Sequence, residues 1–126
     1  MENLTVELTL DKPSYKPKEL VRMTLTVTNR SKESFHGNFR SAQAYDFLIK
    51  QDGREIWRWS HDHMFAQMLL DVTIAPGKAL SYQETWAQRD KAGNEVPLGR
   101  YEVVGILKTT PEVVSLPVLL EVVEEQ

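Results

Sequence analysis

Apolar residues recur at every second position along most of this chain, and that period limits the fold more than any other feature. Leu4, Val6, Leu8 and Leu10 alternate with Thr5, Glu7 and Thr9. Val21, Met23, Leu25 and Val27 alternate with Arg22, Thr24, Thr26 and Thr28. Successive strand side chains point to opposite faces, so each stretch is a strand with one dry and one wet face. Between them, "DKPSYKPKE" holds two prolines, which keep it out of a central strand.

Tyr45, Phe47 and Ile49 alternate again, and Asp52-Gly53 follows as a hairpin signal. The return strand is expected over Glu55 to Ser60. A two-residue turn sets Ile49 opposite Ile56 and Leu48 opposite Trp57. It sorts Tyr45, Phe47, Ile49, Ile56 and Arg58 onto one face, and Asp46, Leu48, Trp57 and Trp59 onto the other. Apolar groups on both faces predict that both are at least partly covered. Later strands run through Leu70, Val72 and Ile74, then Leu80, Tyr82 and Trp86. Tyr101, Val103, Gly105 and Leu107 mark another, and Leu116, Val118, Leu120 and Val122 the last. Only "DHMFAQMLL" reads as helical, for about one or two turns.

About seven to nine short strands separated by turns predict an all-β fold, an immunoglobulin-like antiparallel β-sandwich with at most one short helical turn. No long amphipathic helix is present to make parallel crossovers. The length of 126 residues fits one domain, 1–126.

Composition removes several function classes. Lys plus Arg is 15 and Asp plus Glu is 18, a net charge of -3, so the basic stripe that nucleic acid needs is missing. There is no cysteine, which excludes disulfides, thiolate chemistry and Cys-based zinc sites. No apolar run approaches the ~18 residues of a membrane span. The opening "MENLTVELTL" lacks a positive region followed by an apolar run, so no signal peptide is expected and the expected location is cytoplasmic.

The candidate chemistry centres on "EIWRWSHDHMF", Glu55 to Phe65. His61 and His63 flank Asp62, and His36 stands apart. Imidazoles can ligate zinc or copper, but a closed site needs ligands converging from different elements, and a solvated turn is the favoured reading. No metal and no cofactor are expected. Ser, His and Asp occur without a Gly-x-Ser-x-Gly elbow, no glycine-rich phosphate loop exists, and Glu84 and Glu102 stand isolated on alternating strands. No catalytic residue is identified and the chain is not expected to be an enzyme. Trp57 and Trp59 share a strand face and form a candidate platform for a sugar or peptide. The favoured alternative is that Met64, Phe65 and Met68 fold back over them as a small second core. Trp86 and Tyr101 read as core.

Several motifs in order carry a family resemblance from about Phe35 to Leu107. They are an aromatic strand, a Gln, "YDFLI", a turn, "EIWRWS", "MFAQ", an Ala-Pro-Gly turn, "YQETW" and "PLGRYEVVG". In these the chain resembles the intracellular proteinase inhibitor family known as BsuPI. Two departures are visible. Ala42 stands in "SAQ" where the pattern has glycine, and "QRDKAGNEVPL", Gln88 to Leu98, is longer than the typical connection.

The resemblance implies an immunoglobulin-like sandwich and, as function, inhibition of an intracellular subtilisin-like serine protease. Such an inhibitor presents a rigid, extended segment and loses little entropy on binding. The longest loop supplies the first candidate contacts: Gln88, Arg89, Asp90, Lys91, Asn94 and Glu95, with Trp57 and Trp59 beside them. Pro97 stiffens that loop and Gly93-Asn94 loosens it. Ser31 to Asn38 is the second candidate. The alternative function is a non-catalytic immunoglobulin-like structural or interaction domain that binds a protein or a glycan.

Overall fold

The computed structural model describes residues 4–124. Their strands are β1 (Leu4–Leu10), β2 (Ser14–Tyr15), β3 (Val21–Asn29), β4 (Phe35–Phe39), β5 (Tyr45–Gln51), β6 (Arg54–Arg58), β7 (Leu70–Ile74), β8 (Ala79–Trp86), β9 (Gly99–Leu107), β10 (Val113–Val114) and β11 (Val118–Val122). Nine of these have five or more residues; β2 and β10 have two each. One 3-10 turn, Trp59–Asp62, follows β6.

A three-stranded sheet, β1-β3-β8, faces a larger sheet ordered β2-β11-β9-β5-β6, with β10 also paired to β9. Strands β4 and β7 pair separately. All pairings are antiparallel except β2 with β11. The fold is thus an all-β sandwich.

Alternation explains the core. Val21, Met23, Leu25 and Val27 of β3 are all fully buried, as are Phe47, Ile49, Val103, Leu107 and Trp86. Cross-strand pairs such as Leu8 with Leu25 and Leu25 with Tyr82 keep these residues on one face. The two sheets approach closely at Gly105, where an added Cβ would lie 2.8 Å from Leu25 Cδ1. Tyr101 is 1 % exposed, and its hydroxyl donates to the Pro97 carbonyl, fixing the entry to β9.

Several sequence expectations change. Asp52 (φ 52°) and Gly53 (φ 79°) do form the two-residue turn, since Gln51 faces Arg54. The register then slips between Ile49 and Lys50: Lys50 faces Glu55, but Ile49 faces Trp57 and Leu48 faces Arg58. Ile56 is the extra residue of a β-bulge. The expected pairs Ile49–Ile56 and Leu48–Trp57 are therefore wrong, and the faces are exchanged. Trp57 and Trp59 pack toward the main core with Tyr45, Phe47 and Ile49, while Arg58 joins Asp46 and Leu48 on the outer side.

The helical turn lies at Trp59–Asp62, earlier than expected, and residues 63–69 carry no helix. Residues 35–38 of the second candidate loop belong to strand β4. Ala42 is not among the described non-glycine residues with positive φ, so its replacement of glycine costs no left-handed backbone.

Gly105→Ala is expected to destabilise the protein by about 1–3 kcal/mol, because a methyl group there overpacks the inter-sheet contact. Urea unfolding of the two proteins measures this.

Candidate partner-binding site

The bulge builds the site. In a regular strand, residues three apart point to opposite faces. The extra residue brings Glu55 and Arg58 to the same outer face, where Arg58 Nη2 lies 3.0 Å from Glu55 Oε1. Arg58 Nη1 donates to Asp46 Oδ2 at 3.0 Å. Asp46 is 1 % exposed and also accepts from the Ser60 amide (3.0 Å), the Ser60 hydroxyl (2.6 Å) and the Phe47 amide (2.9 Å). A buried carboxylate needs such partners, and these tie the turn Trp59–Asp62 to β5.

Lys91 extends the network from the loop side. Its Nζ lies 2.7 Å from Glu55 Oε2, and its amide donates to the Ile56 carbonyl at 3.1 Å. The loop is thus docked onto the bulged strand. It is also stiff within itself, contrary to the expected looseness at Gly93-Asn94. Asp90 Oδ1 accepts from the amides of Ala92 and Asn94, each at 2.9 Å. The Asp90 amide donates to the Asn94 carbonyl, Gly93 to the Asp90 carbonyl, and Arg89 Nη1 to the Gly93 carbonyl. Trp86 Nε1 donates to the Arg89 carbonyl at 2.9 Å, fixing the loop's root to the core.

The expected contact residues separate accordingly. Arg89, Lys91, Asn94 and Glu95 are exposed, and Asp90 is half-buried as the turn's cap. Trp57 lines a cleft with Asp62, Trp86 and residues 89–93. Gln88 does not reach the surface: it is 3 % exposed, and its amide nitrogen donates to the carbonyls of Lys16 and Glu19. Its place is to brace the loop against the β2–β3 connection.

Trp59 is likewise held from within. Its ring stacks on Tyr45 at 4.8 Å and on His63 at 4.1 Å, and Tyr45 stacks on Tyr82 at 4.5 Å. The ring contacts a sugar platform would need are already made inside the chain. The Tyr45 hydroxyl donates to Glu84, which therefore is not an isolated carboxylate. Burial, and then that carboxylate, push the Tyr45 phenol's pKa up. Of the expected cover, Phe65 lies 5.8 Å from Trp59, but Met64 is 98 % exposed and Met68 47 %. Met64, almost fully exposed, does not close over the tryptophans.

His63 Nδ1 lies 2.8 Å from the Trp59 carbonyl, His61 is exposed, and His36 sits across from Thr73 in the β4–β7 pair. Among the described residues no group of three or more His, Asp or Glu side chains converges as a metal site would require. The first part of the second candidate loop is tied by Asn29, whose amide nitrogen donates to the Glu33 and Ile74 carbonyls and whose carbonyl oxygen accepts from Ser31. Sequence reasoning missed Asp46, Arg58 and Glu55. The available signal was Asp46 beside the apolar run 47–49, with Arg58 between two tryptophans twelve residues later.

Residues 8–112 match the family model described as BsuPI, intracellular proteinase inhibitor. No curated protein matches the chain. Among solved structures, the sporulation control protein Spo0M from Bacillus subtilis is similar over 100% of this chain at 19% identity and a TM-score of 0.60. This chain covers 51% of that protein, about half its length. The CARDB domain of the PF1109 protein from Pyrococcus furiosus is similar over 98% of this chain and 96% of that domain, at 15% identity and a TM-score of 0.55. These likenesses are of fold, and they support the immunoglobulin-like sandwich.

The network has a pH signature. The hydrogen bond from Arg58, assisted by Lys91, holds the Glu55 carboxyl at about 2, below its ordinary value of 4.5. Because the folded value is depressed, this stabilisation is fully present above pH 4.5 and is lost as pH falls toward about 2. Glu55→Gln is expected to flatten that part of the stability profile. Urea midpoints across the acid range, compared between the two proteins, measure the difference.

Proposed function

As this chain belongs to the BsuPI family of intracellular proteinase inhibitors, we propose that it blocks a subtilisin-like serine protease in the cytoplasm by stoichiometric binding, without chemistry of its own. The observation that carries this reading is the family match over residues 8–112. The proposal treats residues 1–126 as one acting domain. Among the described residues no helix is long and apolar enough to cross a membrane, which is compatible with that location.

The loop geometry supports a binding role. An inhibitor must offer a surface whose shape survives contact with a protease, and order already present in the free protein is not lost again on binding. The docked loop meets that need without disulfides. Its exposed Arg89, Lys91, Asn94 and Glu95, with Asp90 and Trp57, form the proposed polar contact around the cleft. Gln88 and Trp59 support that surface from behind.

Titrating a subtilisin-like protease with the purified protein is expected to abolish activity at a fixed molar ratio. Full protease activity at micromolar protein, across a panel of such enzymes, overturns the reading. Asp90→Ala removes the cap on two loop amides and is expected to weaken inhibition by about 3- to 10-fold, a typical cost for ordering a loop on binding. Faster amide exchange at residues 91–95 in the free variant is the accompanying observation.

A further inference from the structure

Between the 3-10 turn and β7 the chain runs from His63 to Leu69 with no helix, turn or bend. His63 has extended backbone, φ -125° and ψ 151°. The stretch "MFAQMLL", Met64 to Leu70, carries no charge, and its methionines and leucines are exposed. Met64 is 98 % exposed, Leu69 70 %, Met68 47 % and Leu70 37 %. Soluble proteins seldom leave such a run uncovered unless something binds it.

The segment is nonetheless anchored. Phe65 packs inward near Trp59 and His63, and the Ala42 amide donates to the Ala66 carbonyl at 2.9 Å. Outside the strand ladders, and among the described residues, that is the one backbone hydrogen bond made by residues 64–69. Their other amides and carbonyls remain available to a partner. The contrast with the 89–95 loop is direct, because that loop spends its backbone groups on itself. A second exposed apolar run, Val114, Leu116 and Leu119, lies on or beside β10 and β11, outside the family match.

We propose that Met64–Leu70 is the segment that enters the substrate cleft of the inhibited protease. It lies there as an added strand, the free backbone groups of residues 64–69 pairing with the enzyme's edge strand while Leu70 stays paired with Phe39. Met64 and Leu69 fill apolar side-chain pockets, and the 89–95 loop contacts the rim of the cleft. Asp62 joins the two regions, since it borders the cleft formed by Trp57 and residues 89–93. The proposal rests on the inhibitor reading above.

The test compares the wild type with Met64→Asp/Leu69→Asp and with Met64→Ala, against a subtilisin-like protease that the wild type inhibits. Both positions are on the surface, so thermal midpoints close to wild type are expected. The double variant is expected to raise the inhibition constant by about 100-fold or more, and Met64→Ala by about 10-fold, as for anchor residues of an interface. Prolonged incubation with excess protease, followed by mass spectrometry, is expected to place the first slow cut within residues 63–70. Undiminished inhibition by the double variant, or a first cut in 88–98, overturns the assignment and leaves the inhibitor reading intact. Absence of inhibition by the wild type overturns both. A wild-type dimer that sedimentation shows dissolving in the double variant, with inhibition unchanged, assigns the segment to a second copy of this chain and also overturns the proposal.

Discussion

One extra residue, Ile56, decides how this hairpin is used. Inserting it into β6 moves the two tryptophans to the core side and turns Arg58 outward, toward Asp46. It also places Glu55 and Arg58 on one face, within ion-pair distance. The same kink presents the Ile56 carbonyl sideways, where the Lys91 amide takes it. Core packing, the buried carboxylate and the docking of a distant loop all follow from that slip. Bulges re-aim side chains at sheet edges, and β6 is an edge strand of its sheet.

Alternation made the strands legible because burial on one face forces a two-residue period. The inward place of Tyr101 and the β3 core could be read on that basis, and the Asp52-Gly53 turn from the freedom of glycine at positive φ. The bulge could not, because alternation is silent about register once both faces carry apolar groups. Electrostatics separates the two registers. In the unslipped register Arg58 falls on the Phe47 face and Asp46 on the tryptophan face, so each charge enters an apolar surface unpaired. Such burial costs several kcal/mol or more, and the bulge avoids it by pairing the two. The chain takes the less costly arrangement.

The stretch after the bulge misled for a different reason. "DHMFAQMLL" reads as a short helical stretch, and Met64, Phe65 and Met68 within it as cover, because apolar residues usually end up inside. That rule runs one way: buried positions are mostly apolar, but apolar residues are not always buried. Only Phe65 turns inward, onto Trp59. Nothing in the spacing of Met64, Met68 and Leu69 distinguishes a core contribution from a surface kept for a partner. Likewise Gln88 stands in a run of polar loop residues, and its burial depends on two carbonyls about seventy positions earlier in the chain.

The site as proposed combines two kinds of surface with opposite physical character. The 89–95 loop is polar and internally hydrogen-bonded, so a partner gains shape and charge from it but few backbone bonds. The 64–70 segment is apolar and largely unpaired along its backbone, so a partner gains both burial and a strand. A segment so poor in internal bonds would ordinarily be too mobile to bind without a large entropy loss. Here the aromatic stack from Tyr82 through Tyr45 and Trp59 to His63 fixes its start, and β7 fixes its end. The stack in turn needs Trp59 inside the sandwich, and Trp59 is inside only because β6 carries its extra residue.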